Sequence, residues 1–190
     1  MALARRRPER AASYARLKEI IRRESLLTGG NFQLASGASS SLFFDMKKTM
    51  FDPEGAALVG ELLLDALGEE PVDYVGGLEM GAVPIVAAIC VKSHPARPLR
   101  GFFVRKAPKG HGTNQLIDGQ FADGARVAIV EDVTTTGGSA MKAVQAVRDR
   151  GATVERVITI VDRKEGAEAN FQAAGIRLLA LFEREDFLNN

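Results

Sequence analysis

The chain has 190 residues, enough for one domain with a sizeable core and cramped for a second. Apolar residues make up 46%, which excludes a disordered chain, and no apolar run approaches the roughly 20 residues that cross a bilayer. With 25 basic and 24 acidic residues the net charge is +1, so the molecule as a whole is no polyanion binder, and two histidines with one cysteine argue against a structural zinc site.

Arg5, Arg6, Arg7 and Arg10 crowd the N-terminus without an apolar stretch behind them, which is not the pattern of a secretion signal. This basic tail reads as solvated or as a subunit-packing arm rather than as a nucleic-acid contact. The single cysteine, Cys90, has no partner for an internal disulfide. A cytoplasmic protein with neither nucleic acid nor membrane among its partners is the expectation.

Tyr14, Leu17, Ile20, Ile21 and Leu27 recur near helical spacing, so Ala11 to Leu27 is expected as an amphipathic helix stopped by Thr28-Gly29-Gly30. Phe32 to Asp45 is rich in Ser and Gly and ends in Leu42-Phe43-Phe44, a short strand or hairpin element. Pro53 can open a helix whose stripe is Leu58, Val59, Leu62, Leu63 and Leu67, ending before Gly68. Strand-like and helix-like segments then alternate. Strands are expected at 72–75, 99–104, 126–130, 154–161 and 176–181, and helices at 83–91, about 139–150 and about 166–174. The segment Arg105 to Gly119 is polar, with little core-forming character. Such alternation implies an α/β fold, with a central, mostly parallel sheet flanked by helices.

The strongest chemical signal is Val127-Ala128-Ile129-Val130-Glu131-Asp132-Val133-Thr134-Thr135-Thr136-Gly137-Gly138-Ser139. An apolar strand runs into two carboxylates, a Thr/Gly turn and a helix N-terminus. The turn can aim amides and hydroxyls at a phosphate, helped by the positive end of the helix dipole. The carboxylates would repel that phosphate, so they suit another part of the ligand, such as ribose hydroxyls, with Mg²⁺ bridging nearby. No Gly-Lys-Ser/Thr follows, and no G-x-G-x-x-G is present. The bland alternative is an ordinary capped turn. A second cluster, Arg105, Lys106, Lys109 and His111, sits among Gly110 and Gly112. A loop of this kind can open and close, and its cations can steady an anion beneath it. Taken alone, it reads first as a solvated loop with scattered charges.

On these residues the chain resembles the type I phosphoribosyltransferases, whose signature for 5-phosphoribosyl 1-pyrophosphate (PRPP) is an apolar strand, two acids and a Thr/Gly-rich loop. Within them, Arg-Lys-x-x-Lys-x-His-Gly is characteristic of the orotate enzymes and maps onto Arg105, Lys106, Lys109, His111 and Gly112. The resemblance implies one type I domain over residues 1–190. Residues to about 45 would form an N-terminal helix and a hood over the base, and 46–190 the α/β core with its mobile catalytic loop. It implies Mg²⁺-dependent transfer of ribose 5-phosphate from PRPP to orotate, in a homodimer with shared active sites.

The resemblance also assigns residues. Glu131 and Asp132 would hold the ribose hydroxyls, with Mg²⁺ near Asp132, and Val133, Thr134, Thr135, Thr136, Gly137, Gly138 and Ser139 the 5-phosphate. Lys106, Arg105, Lys109 and His111 would be catalytic. Thr135, Arg163, Phe43 and Phe44 would contact orotate, Arg163 through its carboxylate. Gly76-Gly77-Leu78-Glu79-Met80-Gly81 resembles the pyrophosphate loop. Two departures remove positive charge: Ala35 and Met80 stand where many orotate enzymes carry lysine, and Lys47 and Lys48 are the nearby cations that could compensate. Alternative readings are transfer to another base, such as a purine, or a non-catalytic PRPP-sensing regulator with the same fold.

Overall fold

The structure is a computed structural model, and it describes residues 3, 8–33, 39–108 and 115–188. Helix α1 (Ala11–Ile20) buries Tyr14, Leu17 and Ile20 as the spacing predicts, but it passes into a π-helical turn over Ile21–Ser25. The helix expected to reach Leu27 therefore ends early, and the cause is Ser25. Its buried hydroxyl lies 2.6 Å from Thr49 Oγ1 and accepts from the Thr49 N–H, while its carbonyl accepts from the Asp45 N–H. Side-chain bonds of this kind compete with helix continuation.

Strand β1 (Leu26–Gln33) follows at once and pairs antiparallel with β2 (Ser39–Phe44). Thr28-Gly29-Gly30, expected as a helix stop, lies inside β1, where the pairing register shifts between Thr28 and Phe32. Ala35 lies outside the described residues. The short α2 (Met46–Met50) leads into α3 (Pro53–Leu67), which opens with Pro53 as expected and is capped by Asp52, whose Oδ1 accepts from the Gly55 N–H at 2.8 Å.

The rest of the chain is β3 (Tyr74–Gly76), α4 (Ala82–Ser93), β4 (Arg100–Val104), β5 (Ile117–Gly119), β6 (Arg126–Thr134), α5 (Gly138–Arg148), β7 (Thr153–Asp162), α6 (Ala167–Ala173) and β8 (Arg177–Glu183). These six strands form one sheet in the order β5-β4-β3-β6-β7-β8, and every neighbouring pair is parallel except β4–β5. Strand β5 corrects the reading of Arg105 to Gly119 as lacking core character, because Ile117 is buried. One apolar residue in a three-residue strand leaves no periodic signal to read.

Both sheet faces are covered, which is why β6 and β7 read as nearly continuous apolar runs. Val127 and Ile129 of β6 pack with Val144, Val147 and Phe171 from α5 and α6. Ala128 and Val130 pack in a cluster with Val59, Leu63, Ile85 and Ile89 from α3 and α4. Neighbouring β3 and β6 send their crossovers opposite ways, β3 through α4 to β4 and β6 through α5 to β7. The crevice outside the carboxyl ends of such a strand pair is where open α/β sheets take ligands. Among the described residues, no helix is long and apolar enough to cross a membrane.

Candidate active site

Strand β6 runs four residues beyond its expected end, so Glu131, Asp132, Val133 and Thr134 are all strand residues, paired along β7 as far as Thr134 with Asp162. The turn Thr135–Gly137 then enters α5. Gly137 holds φ +85°, and a Cβ there would fall 2.7 Å from the Phe171 ring, so both backbone and packing require glycine. Asn170 of α6 buttresses the turn by donating from Nδ2 to the Thr136 carbonyl at 2.9 Å.

A cavity of about 610 Å³ opens over this turn. Val133, Thr134, Thr135, Thr136, Gly137, Gly138 and Ser139 line it, together with Glu131, Leu78, Val104, Arg105, Lys106 and Leu116, and with Lys142 and Ala146 on α5. Glu131 is 6% exposed. Its Oε1 accepts weakly from the Asp132 N–H at 3.4 Å, and its Oε2 is buried without a partner among the described residues. Burial, then the neighbouring Asp132 carboxylate, pushes the Glu131 carboxyl well above the usual carboxylate range, while the charge of Lys106 opposes the shift. Thr134 Oγ1 is also buried and unpartnered among the described residues. Glu131 and Thr134 thus bring two buried polar atoms, unpartnered among the described residues, to the edge of one cavity.

Asp132 does not line this cavity. Its Oδ1 accepts from the Val133 N–H at 2.8 Å, and its carboxylate lies so close to Gly81 that a Cβ there would fall 2.8 Å from Oδ1. Lys47 stands 2.8 Å from Asp45, which chiefly raises its pKa, with a further contribution from the charge of Asp132.

The ends of β3 and β4 are clamped together. Val104 N–H donates to Gly77 O and Glu79 N–H to Val104 O, both at 2.8 Å, and Glu79 Oε1 accepts from the Lys106 N–H at 2.8 Å. Met80, joined to Glu79 by a cis peptide, is 63% exposed. Arg105 Nη1 reaches Asp118 of β5 at 3.2 Å. Lys106 is exposed. Lys109 and His111 lie outside the described residues.

Of the residues assigned to the base, only Thr135 lines the cavity. Arg163 is 2% exposed, and its fork is already engaged: Nε donates to Glu165 Oε1, Nη1 to Leu42 O and Nη2 to Ser40 Oγ, at 2.9–3.0 Å. Its main-chain N–H donates to Thr134 O at 2.9 Å, so Arg163 ties the β1–β2 hairpin to the end of β6. Phe44 is a core residue, edge-on to Phe187 with centroids 5.1 Å apart, and half-buried Phe43 stacks on Phe32 at 5.7 Å. Sequence reasoning passed over Lys142 and Asn170. The only cue to Lys142 was its place one turn into the helix after the Thr/Gly motif, and nothing local marks Asn170.

No family model matches the chain. An orotate phosphoribosyltransferase of Bradyrhizobium sp. strain BTAi1 is 52% identical over 187 residues, spanning 94% of this chain and 99% of the relative. The chain belongs to the orotate phosphoribosyltransferase family. The family's Aquifex aeolicus member is 42% identical over 176 residues, 91% of this chain and 96% of the relative. The crystal structure of the Mycobacterium tuberculosis H37Rv orotate phosphoribosyltransferase in complex with PRPP superposes with TM-score 0.77 at 36% identity, covering 92% of this chain and 98% of that one.

The family's need for a metal can be set against the residues present. Among the described residues no three His, Cys, Asp or Glu side chains cluster as a metal cage. Glu131 and Asp132 adjoin, and Glu131 Oε2 is unpartnered. That donor set suits a cation bound mainly through substrate phosphates, as Mg²⁺ commonly is.

Proposed function

We propose that this chain transfers ribose 5-phosphate from PRPP to orotate, giving orotidine 5′-monophosphate and pyrophosphate, the phosphoribosyl step of UMP synthesis. One observation carries this reading: the cavity over Val133–Ser139 joins a helix N-terminus to two buried, unpartnered polar atoms, Glu131 Oε2 and Thr134 Oγ1. A buried polar atom left without a partner costs roughly 1–3 kcal/mol, so such a cavity is built to be filled by a polar ligand. Family membership supports the same ligand.

In this reading the 5-phosphate lies against the turn Thr134–Ser139 and the first amides of α5, where the helix dipole favours an anion. Ribose hydroxyls donate to Glu131 and Asp132, which must then be ionised, and hydroxyls supply the hydrogen bonds that Glu131 Oε2 lacks. Mg²⁺ held beside Asp132 by the substrate's phosphates would neutralise the pyrophosphate. The C1–O bond to pyrophosphate breaks as orotate N1 bonds to C1 and gives up its proton to the departing pyrophosphate or to solvent, and negative charge gathers on the leaving oxygens. Lys106 and Arg105 stabilise that charge, joined by Lys109 and His111 of the same loop. The Glu79 contact to the Lys106 N–H sets where this loop springs from the β4 end. Arg163 keeps the hairpin over the site and offers its remaining N–H groups to the orotate carboxylate, with Thr135 beside it and the backbone at Phe43 and Phe44 along the pyrimidine edge.

The whole chain acts as one phosphoribosyltransferase domain, with residues 1–45 as helix and hood and 46–190 as the core. It works in the cytoplasm as a homodimer, each basic loop completing the neighbouring site. Purified protein given PRPP, Mg²⁺ and a panel of bases tests the reading, with orotate consumption followed by ultraviolet absorbance. Turnover of a purine in place of orotate would refute the base assignment. Absence of turnover with every base, despite PRPP binding, would refute the enzyme.

A further inference from the structure

We infer that Lys142 is a substrate-binding residue that pairs with the 5-phosphate, an assignment that rests on the proposed reading of the cavity. The phosphate turn Val133–Ser139 contains no cation. Its donors are neutral amides and hydroxyls, and a helix N-terminus contributes only about half a positive charge. A phosphate monoester carries about two negative charges at neutral pH. Some of that charge needs another partner.

Lys142 is placed to supply it. It lies four residues after Gly138 and three after Ser139, so all three share one face of α5, and helical side chains lean toward the N-terminus. That face borders the cavity at Gly138, Ser139, Lys142 and Ala146. The opposite face, Ala140, Ala143, Val144 and Val147, is buried in the core, which leaves exposed Lys142 on the cavity side of the helix.

An exposed helical lysine can serve an ion pair with an acid three or four residues away. Lys142 has no such use. The residues at its helical neighbours are Gly138, Ser139, Gln145 and Ala146, none of them acidic, and among the described residues it has no ion pair. Of the other two described cations lining the cavity, Arg105 reaches Asp118, and exposed Lys106 stands beyond the β4 end, where the proposed reading assigns it to the pyrophosphate. A cation without a carboxylate partner, on the wall of a cation-free phosphate cradle, is an anion contact.

Ligand binding measured by calorimetry on wild type, Lys142→Ala and Lys142→Arg separates the two anionic ends of the substrate. Ribose 5-phosphate should bind Lys142→Ala about tenfold more weakly, pyrophosphate within about twofold of wild type, and Lys142→Arg should recover most of the ribose 5-phosphate affinity. The wild-type affinity for ribose 5-phosphate should also fall more steeply with salt than that of Lys142→Ala. Unchanged ribose 5-phosphate affinity in Lys142→Ala, or equal losses for both ligands, overturns the assignment while the cavity reading stands. A wild-type protein that binds neither ribose 5-phosphate nor PRPP overturns the cavity reading and the assignment with it.

Discussion

Gly137 and Gly138 are adjacent in sequence and alike in composition, yet alanine should be ruinous at one and harmless at the other. Gly137 sits at φ +85°, which costs a residue with a Cβ roughly 1–2 kcal/mol. Its Cβ would also stand 2.7 Å from Phe171 Cζ, and Phe171 is fully buried, so the ring must move within a packed core. Overpacking of that kind costs about 1–3 kcal/mol. Gly137→Ala should therefore lose about 2–5 kcal/mol, or about 4–20 °C in melting temperature for a domain of this size. At Gly138 the nearest atom to an added Cβ is Thr136 Oγ1 at 3.8 Å, an ordinary contact, and φ is not positive. Gly138→Ala should melt within about 2 °C of wild type, or slightly above it, because alanine favours the helix. Thermal melts of both variants give the comparison. A double-mutant cycle with Phe171→Leu dissects it, because shrinking the ring relieves the clash and leaves the backbone strain. Melting temperatures that coincide for the two alanine variants would refute the reasoning. So would a cycle with no coupling between positions 137 and 171.

The folded Glu131 carboxyl titrates above its unfolded value, so its contribution to stability is present in acid and lost as pH rises through the folded pKa. Glu131→Gln should thus be more stable than wild type at alkaline pH, and it should remove the fall in PRPP affinity expected as acid protonates the carboxylate. Melts and calorimetry from about pH 5 to about pH 9 check both, and parallel pH profiles for the two proteins would count against the assignment. Lys106→Ala should lower kcat by about 10²–10³-fold while PRPP affinity changes far less, since its work is on the departing group; equal losses in both would contradict that role. Arg163→Ala removes the charged donor to the Leu42 carbonyl, which keeps the Ser40 hydroxyl, and should cost about 1–3 kcal/mol. It should also raise the KM for orotate and speed amide exchange across the hairpin, and lysine should not restore either, because one ammonium cannot serve three fixed partners. Unaltered hairpin exchange would show that the tie is idle.

The sequence by itself determined the sheet and the chemistry of its central turn. Strands buried on both faces must be apolar throughout, so 126–130 and 154–161 announced themselves, and two acids running into Thr-Gly-Gly are a local signal whose meaning depends on chain neighbours alone. The early end of α1 was hidden because it depends on Ser25 meeting Thr49, 24 residues away. Strand β5 was hidden because a single buried isoleucine has no period.

Only the tertiary structure decided how the site's charges are divided. Alternation along β6 sends Glu131 into the cavity and Asp132 against Gly81, although the sequence shows them as one acidic pair. The fold also engages the Arg163 fork with the hairpin, and it sets Lys142 on the cavity wall. Propensity and periodicity are carried by neighbours along the chain, whereas the partner of a charge is chosen by whichever strand or helix packing brings within about 3 Å of it.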